Sequence, residues 1–275
     1  MQQLTEKRYL PGPGGDIAVY VQGDASAPAV LMTHSILSSS MMWAAQAELL
    51  AVAGWQVIRA DTRGHGESHA SAAPYAMDDL VADSIAVLDA LKIERAHYVG
   101  LSLGGMSGFG LGIQHPDRLL SLCLCDARAD MTPALAAPWD ERIAQARAQG
   151  CGVLATATAE RWFGPAFMQA NPAIATAFLD AISRTNVEGF AGCAFALQQL
   201  DYLPKVGSIS SPTTLIVGAN DGPLPQLMQA LQALIPGAVL EVVANAGHLP
   251  NIDQPIAFNT ALMRHFSNNP SRSQL

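Results

Sequence analysis

The sequence has 275 residues, of which half are hydrophobic, and it carries a formal net charge of −8 at pH 7. Chains of this length often form one α/β core with an insertion, and the apolar half is enough to fill a large interior. The negative charge argues against nucleic acid or an anionic membrane surface as the main partner, because both repel an acidic protein.

The first 130 residues alternate between strand and helix patterns. Short apolar runs predict strands over residues 8–10, 17–21, 29–32, 56–61, 96–101 and 119–126, with a β meander over residues 7–30. Helices are predicted over residues 41–53, 77–93 and 103–114. Because strands and helices follow one another at this spacing, the sequence predicts an α/β fold whose mostly parallel central sheet is flanked by helices.

The alternation stops after residue 130. The next segment, residues 131–203, is Ala-rich with a helical pattern, and we interpret it as a helical cap inserted over the catalytic edge of the sheet. The rhythm then resumes with strands over 213–218 and 239–243, helices over 225–235 and 254–266, and a polar tail over 267–275 that we expect to be frayed. The predicted domains are a core of residues 1–130 and 204–275 and a cap of residues 131–203.

The cysteines and the first residues bear on the cellular compartment. Cys123 and Cys125 alternate in an apolar run, and the four cysteines show no paired spacing of a metal site, so we expect buried, reduced thiols. Residues 1–8 lack the apolar stretch of a signal peptide, and no run reaches membrane-spanning length. We therefore expect a cytoplasmic protein with no membrane partner. The oligomeric state stays open, a homo-oligomer included.

The candidate nucleophile is Ser102, in the pattern Gly-x-Ser-x-Gly between a predicted strand and a predicted helix. Gly100 and Gly104 permit the sharp turn that this connection needs, because a side chain at either position would collide across it. The turn holds the hydroxyl at the carboxyl edge of the sheet, at the positive end of the following helix. Two backbone N–H groups are expected to donate hydrogen bonds to the oxyanion at this site. One belongs to Leu103 and the other to Ile36, which follows the first parallel strand.

A serine hydroxyl needs a base to take its proton, and the base needs an orienting acid. His248 follows the last predicted strand and Asp221 follows the strand before it, so both meet Ser102 at one edge of the sheet. Asp126, after the strand that follows the nucleophile helix, is the competing acid. His34 and His65 are rival bases on early loops, although His34 is better placed to shape the oxyanion loop.

These motifs resemble those of the α/β-hydrolase superfamily over essentially the full chain, and the chain order Ser102, Asp221, His248 is the order of that scaffold. The chain is most similar to the 3-oxoadipate enol-lactonases and their close relatives. That closer resemblance is carried by residues 61–66, by Trp139 with Arg142, and by residues 160–165. The chain departs from those enzymes at Ile36 and Leu103, and at Asp126, where they carry an uncharged amide.

The resemblance implies a serine hydrolase that cleaves a small-molecule carboxylic ester or lactone, with no metal and no organic cofactor. A lactone derived from a dicarboxylate keeps one free carboxylate, for which a guanidinium is the natural partner. The candidate substrate-binding residues are Arg128, Trp139, Arg142, Arg161 and Trp162. The alternative for Arg142 and Arg161 is pairing with acids such as Glu141 and Glu160.

Two other functions use the same scaffold. C–C bond hydrolases and cofactor-free oxygenases share this frame, and some of them use the His–Asp pair without a covalent serine. A catalytically silent receptor would have no need of an intact serine, aspartate and histidine, so the sequence argues against it.

Overall fold

The computed structural model describes residues 4–270 of the chain. Its strands are β1 (Glu6–Gly12), β2 (Gly15–Gln22), β3 (Ala29–Thr33), β4 (Gln56–Ala60), β5 (Ala96–Leu101), β6 (Leu119–Cys125), β7 (Thr213–Gly218) and β8 (Val239–Val243). Its α-helices are α1 (Ala44–Val52), α2 (Met77–Ala90), α3 (Leu103–Gln114), α4 (Pro133–Gln149), α5 (Ala155–Phe163), α6 (Pro165–Ala170), α7 (Pro172–Arg184), α8 (Val187–Gln198), α9 (Leu224–Leu234), α10 (Pro250–Asp253) and α11 (Pro255–Asn268). Short 3₁₀ turns cover Ser40–Trp43, Pro116–Arg118, Cys151–Leu154 and Leu203–Ser208.

Within residues 4–270, eight strands form one sheet in the order β1-β2-β4-β3-β5-β6-β7-β8. β1 and β2 are antiparallel to their neighbours, and the pairs from β4 to β8 are all parallel. The prediction of a mostly parallel sheet flanked by helices is therefore confirmed. The two strands of the predicted β meander, β1 and β2, pair antiparallel as expected. β2 then pairs with β4, so β3 lies inside the parallel part of the sheet.

The central strands are buried because their residues are apolar on both faces. Every residue of β3, β4, β5 and β7 is buried, as expected for parallel strands covered by helices on each side. Helix α3 packs on β5 and β6, and α9 packs on β7 and β8. This arrangement places the carboxyl ends of β3, β5, β6, β7 and β8 along one edge, where the loops that follow them meet.

The segment between β6 and β7 is helical, as predicted, and its two ends are tied together. Asp130 and Asp201 form an antiparallel bridge, and Tyr202 N–H donates to the carbonyl of Ala129 at 2.8 Å. Helix α8 of this segment also contacts the core, where Gly189 lies against Gly64. A Cβ atom at Gly189 would lie 2.3 Å from the Cα of Gly64, so the two backbones are in direct contact.

The carboxyl-terminal part differs in detail from the predicted single helix over 254–266. Pro255 begins α11, since a proline fits the first turn of a helix but lacks the N–H needed to continue one, and α10 ends just before it. The first residues of the predicted frayed tail are helical, because α11 runs to Asn268, and residues 271–275 lie outside the described residues. In the described part of the chain, no helix is long and apolar enough to cross a bilayer.

The cysteines occupy the positions that their pattern indicated. All four are buried and unbonded, and the Sγ atoms of Cys123 and Cys125 lie 4.0 Å apart on one side of β6.

Candidate active site

The turn between β5 and α3 holds Ser102 in a strained backbone conformation, with φ 54° and ψ −113°. Left-handed φ values cost energy for a residue with a Cβ atom, and they persist where the surrounding fold enforces them. Here a Cβ atom at Gly100 would lie 2.3 Å from the carbonyl oxygen of Gly104, and one at Gly104 would lie 2.4 Å from Thr33 Oγ1. The sequence pattern therefore produces the strand–turn–helix geometry for which it was singled out.

The loops after β7 and β8 bring Asp221 and His248 together. His248 Nδ1 donates to Asp221 Oδ2 at 2.6 Å, and both side chains are buried. The two loops touch through their backbones, since a Cβ atom at Gly218 would lie 2.0 Å from the carbonyl oxygen of Gly247. Glycine at position 218 is what allows this close approach.

Burial favours a neutral imidazole at His248, and the pairing with His248 favours an ionised carboxylate at Asp221. Burial lowers the pKa of His248, although the neighbouring Asp221 carboxylate works in the opposite direction. Burial alone would raise the pKa of Asp221, but the charge and hydrogen bond of His248 outweigh it and lower that pKa. Because Nδ1 donates to Asp221, Nε2 is left as the acceptor that a general base needs.

Ser102 and His248 line the same cavity, which has a volume of about 320 Å³. The Ser102 hydroxyl does not cap α3, and within residues 4–270 the only side-chain partner of His248 is Asp221. The serine–histidine bond is therefore open in this structure. In serine hydrolases without a bound ligand such bonds are commonly long and close when substrate binds.

The two predicted oxyanion donors lie on neighbouring backbone segments. Leu103 is the first residue of α3, so its N–H has no acceptor within the helix. Ile36 lines the cavity beside Ser102, and its N–H donates to no backbone acceptor among the described residues. Gly104 N–H donates to the carbonyl of His34 at 3.1 Å and so ties the loop of Ile36 to the start of α3.

The rival bases His34 and His65 are part of the framework. His34 uses both ring nitrogens, because Nδ1 donates to the Ser35 carbonyl and Nε2 accepts from Thr62 N–H, each at 2.8 Å. Burial lowers the pKa of His34 to about 4 and that of His65 to about 3. Neither histidine lines the cavity, so neither is placed to act as the base there. That His34 shapes the predicted oxyanion loop stays a prediction.

The rival acid Asp126 lies beside the histidine–aspartate pair. Ligand-type atoms of Asp126, Asp221 and His248 lie within 4.8 Å of one another, the only such group among the described residues that could hold a metal ion. A metal would have to break the 2.6 Å bond between His248 and Asp221, so the arrangement fits a hydrogen-bonded network better than an ion site. The sequence indicated Asp126 as an alternative to Asp221 and gave no sign that the two adjoin.

The upper part of the cavity is lined by α4 and α5. The Arg142 guanidinium lies 4.4 Å from the centre of the Trp139 ring, and its Nη2 donates to Thr158 Oγ1 at 3.1 Å. Arg161 and the buried Trp162 complete this wall. Among the described residues neither Arg142 nor Arg161 forms an ion pair, so the predicted alternative of pairing with cap acids is not found.

The third arginine is engaged differently. Arg128 lines the cavity, but its Nη2 lies 3.3 Å from Asp130 Oδ1, and its Nε donates to the Asp130 carbonyl. Its charge is therefore already partly neutralised, unlike that of Arg142. Burial and the nearby Arg161 lower the pKa of Arg142 to about 10, which leaves it charged at neutral pH and favours an anion beside it.

One contact of the site has no signal in the sequence. The carbonyl of Trp162, near the end of α5, accepts a hydrogen bond of 3.0 Å from the backbone N–H of His248. The same carbonyl would lie 2.5 Å from a Cβ atom at Gly247. The inserted helices thus hold the histidine loop as well as lining the cavity, through backbone atoms that every residue possesses.

The chain is similar to known hydrolases along most of its length. Residues 28–255 match the family model described as the alpha/beta hydrolase fold. The chain is 35% identical over 254 residues to 3-oxoadipate enol-lactonase 2 of Acinetobacter baylyi, covering 89% of this chain and 92% of that protein. It is 29% identical to a protein of Variovorax paradoxus provisionally named carbamate hydrolase RutD, over 88% of this chain and 93% of that protein. The solved enol-lactonase of Burkholderia xenovorans LB400 has a TM-score of 0.90 and 31% identity, covering 94% of this chain and 100% of its own.

Proposed function

The chain belongs to the family of the alpha/beta hydrolase fold, and on that premise we propose that it cleaves a carboxylic ester or lactone through Ser102, His248 and Asp221. The observation that carries the proposal is the 2.6 Å bond between His248 Nδ1 and Asp221 Oδ2, beside a cavity that Ser102 also lines. Nucleophile, base and orienting acid are the three parts that acyl transfer to serine needs.

In the proposed mechanism, His248 Nε2 takes the proton of the Ser102 hydroxyl as Oγ attacks the substrate carbonyl. The ionised Asp221 stabilises the imidazolium that forms, without itself taking the proton. His248 then gives the proton to the leaving oxygen, and an acyl-enzyme remains. Water activated by the same imidazole releases the acid and restores the serine.

The negative charge on the substrate oxygen needs donors that are in place before the reaction. The N–H groups of Leu103 and Ile36 are the proposed oxyanion hole. This is supported by Leu103 following Ser102 directly as the first residue of α3, without a helical partner, and by Ile36 lining the same cavity as Ser102. Each such donor is typically worth about 2.7–4 kcal/mol of transition-state stabilisation. The positive end of α3 adds to this field.

We further propose that residues 131–203 form a cap over a core of residues 1–130 and 204–275. The bridge between Asp130 and Asp201 supports these boundaries, because it joins the residue just before the cap to a residue near the end of the cap. The lining of the cavity by α4 and α5 supports the position of the cap above Ser102.

The proposed substrate is a small ester or lactone that carries a carboxylate. Arg142 and Arg161 support this class, because both line the cavity and neither has an acidic partner in the described part of the chain. A guanidinium next to a tryptophan face suits a planar carboxylate on a partly apolar molecule. The names of the enol-lactonases among the relatives agree with it.

Ser102→Ala tests the acyl-transfer mechanism. We expect turnover of small p-nitrophenyl esters to be lost in this variant while its melting temperature stays within a few degrees of the wild type. A fluorophosphonate should label Ser102 of the wild type, as mass spectrometry of the digested protein would show. Full turnover by the variant would contradict the proposal, and lack of labelling would favour the chemistry of C–C hydrolases or cofactor-free oxygenases.

A substrate panel tests the substrate class. Enol-lactones with a free carboxylate, their methyl esters and small carbamates would be compared by kcat/KM. We expect the carboxylate-bearing lactones to be preferred over their methyl esters by about 10- to 100-fold, the worth of a charge-assisted hydrogen bond. Equal values for acid and methyl ester would contradict the proposed class, and a preference for the carbamates would replace it.

A further inference from the structure

Asp126 is a buried acid that the proposed mechanism does not use. It follows β6 directly, its φ is 44°, and its side chain is fully buried. Its Oδ1 accepts a 2.9 Å hydrogen bond from Gly218 N–H. Its Oδ2 is also buried and has no donor among the described residues. A buried carboxylate oxygen without a donor is costly, so this atom requires an explanation.

The side chain of Asp126 belongs to a cluster that holds a second carboxylate. A carboxylate oxygen of Asp126, one of Asp221 and a ring nitrogen of His248 lie within 4.8 Å of one another. Oδ2 of Asp221 accepts the hydrogen bond from His248. Two carboxylates in one buried site do not both ionise, because the repulsion between them is not screened by water. Asp221 is the one paired with the imidazole, so Asp126 is the one expected to keep a proton.

The other groups that face the pair act in the same direction. Asp253, from α10, adds a third acidic group and accepts a 2.6 Å hydrogen bond from Gly247 N–H. Arg161, from α5, is the cation that acts on Asp221 and His248. Burial, followed by the charge of Asp221, raises the pKa of Asp126 well above its ordinary value. Cys125 next to it is buried and has its pKa raised as well, so it supplies no charge at neutral pH.

We propose that Asp126 is a positioning residue that stays protonated and donates a hydrogen bond from its Oδ2 to Asp221, holding that carboxylate in line with His248 Nδ1. No proton leaves Asp126 during the reaction. Gly218 N–H fixes one oxygen of Asp126, and the hydroxyl of the other oxygen donates a hydrogen bond to Asp221 and keeps its proton, so both oxygens of the acid have a partner. The proposal rests on the proposed function, because it concerns how the acid of that triad is held.

Two substitutions separate the proton from the shape of the side chain. Asp126→Asn keeps an acceptor for Gly218 N–H and a donor for Asp221, whereas Asp126→Leu keeps the approximate size and no polar atom. We expect kcat of the leucine variant to fall by about 10- to 100-fold with KM within about threefold, as for a lost hydrogen bond to a charged group. The asparagine variant should recover most of that loss. Equal losses in both variants, or none in the leucine variant, would overturn the positioning role.

The pH profile of the asparagine variant tests the protonation state. If Asp126 is neutral, the substitution removes no charge, and the acidic limb of kcat/KM, which reports the pKa of His248, should not move. If Asp126 were ionised, losing a negative charge this close to the imidazole would lower that pKa by about one unit or more. A limb displaced by that amount would overturn the proposal.

Infrared spectroscopy gives a readout that does not depend on turnover or on the leucine variant folding. We expect the wild type at pH 8 to show a carbonyl band of a protonated carboxylic acid that shifts in D₂O and is missing in Asp126→Asn. Asp253→Asn is the matched control and should keep the band. Asp221→Asn removes the neighbouring charge and should lower the pH at which the band disappears. If Asp126→Asn leaves the band unchanged, the proposal fails, even where Ser102 dependence upholds the proposed function.

Discussion

The floor and the roof of the cavity are held in place by different kinds of interaction. The floor consists of Ser102 and His248, which line the cavity, together with Asp221, which the 2.6 Å bond joins to His248. The strained turn fixes Ser102 at the sheet edge. The roof consists of Trp139, Arg142, Arg161 and Trp162. Here the Arg142 guanidinium lies over the Trp139 ring, and neither arginine has an acidic partner in the described part of the chain. The difference agrees with our proposal that the floor carries out the chemistry and the roof selects the substrate, and mutations can separate these two roles.

The largest effect is expected in the floor. His248→Ala should lower kcat/KM for any ester that the protein cleaves by about 10⁴-fold or more, as for loss of the base in serine hydrolases. The loss should fall on kcat, because the base acts in the transition state. Steady-state kinetics with a p-nitrophenyl ester would measure it, and the exposed His69, replaced by Ala, is the matched control. A loss below about tenfold would show that another group serves as the base.

A second large effect is expected on the pH dependence of stability, and it comes from buried histidines elsewhere in the core. At the opposite end of the sheet from the floor, Ser121 Oγ joins His97 Nδ1 at 2.6 Å and His265 Nε2 at 2.8 Å. Burial lowers the pKa of His97 to about 4 and that of His265 to about 3. His97 Nδ1 and both ring nitrogens of His265 are therefore bonded to hydroxyls, whereas His248 is held by a carboxylate.

The sign of the resulting pH dependence follows from where the protons bind. As the pH falls below 6.5, the ordinary pKa of histidine, His97 and His265 bind protons in the unfolded chain. In the folded core they do so only at about pH 4 and pH 3. The contribution of these histidines to the free energy of unfolding should therefore be complete above pH 6.5. Below that pH, the free energy of unfolding should fall by at most about 1.4 kcal/mol per pH unit for each such histidine. Urea unfolding between pH 7 and 4.5 would measure the slope.

His265→Gln assigns part of that slope to one residue. It should lower stability at pH 7, because the bonds to Ser121 and Thr214 are altered, and make the pH dependence shallower by up to about 1.4 kcal/mol per unit. His69→Gln removes an exposed imidazole and is the control for the loss of a histidine. An unchanged slope in the His265 variant would mean that this group does not resist protonation in the folded state.

The floor could be predicted because sheet topology fixes it. Parallel strands send their carboxyl ends to one edge, so Ser102, Asp221 and His248 were assigned from their place after predicted strands, and the structure brings them to one site. The resemblance to enol-lactonases, taken from the motifs, is confirmed by the relatives. The catalytic roles of Ser102, Asp221 and His248 in this chain stay proposals.

The contacts of the roof could not be predicted, because they depend on how helices pack rather than on chain order. The pattern indicated a helical segment over residues 131–203, but it left both pairing with acids and substrate contact open for Arg142 and Arg161. Arg128 meets Asp130, and the Trp162 carbonyl holds His248, through contacts that periodicity does not encode. The closeness of Asp126 to Asp221 likewise depends on the distance between two strand ends, β6 and β7.

The close contact between α8 and the loop that carries Gly64 should be disturbed by a single added methyl group. Gly189→Ala would place a Cβ atom 2.3 Å from the Cα of Gly64, so α8 must shift or the loop must move. We expect a loss of about 1–3 kcal/mol in the free energy of unfolding, the usual cost of overpacking. At Gly152 an added Cβ would meet Ser183 Oγ at an ordinary 3.5 Å, so Gly152→Ala is the control. Equal melting temperatures for both variants would contradict the close contact.

The smallest effect is expected in the roof, and it sharpens the comparison most. Arg142→Leu removes a guanidinium stacked on Trp139 and should raise KM for a carboxylate-bearing lactone about tenfold, or about 1.4 kcal/mol, with kcat little changed. For the methyl ester of the same lactone neither constant should move, because no charge is lost to it. Arg147→Leu, which removes an exposed arginine of the same helix paired with Glu188, is the control and should leave both substrates unaffected. A fall in kcat on both substrates would mean that Arg142 supports the floor, and the division between chemistry below and selection above would then be wrong.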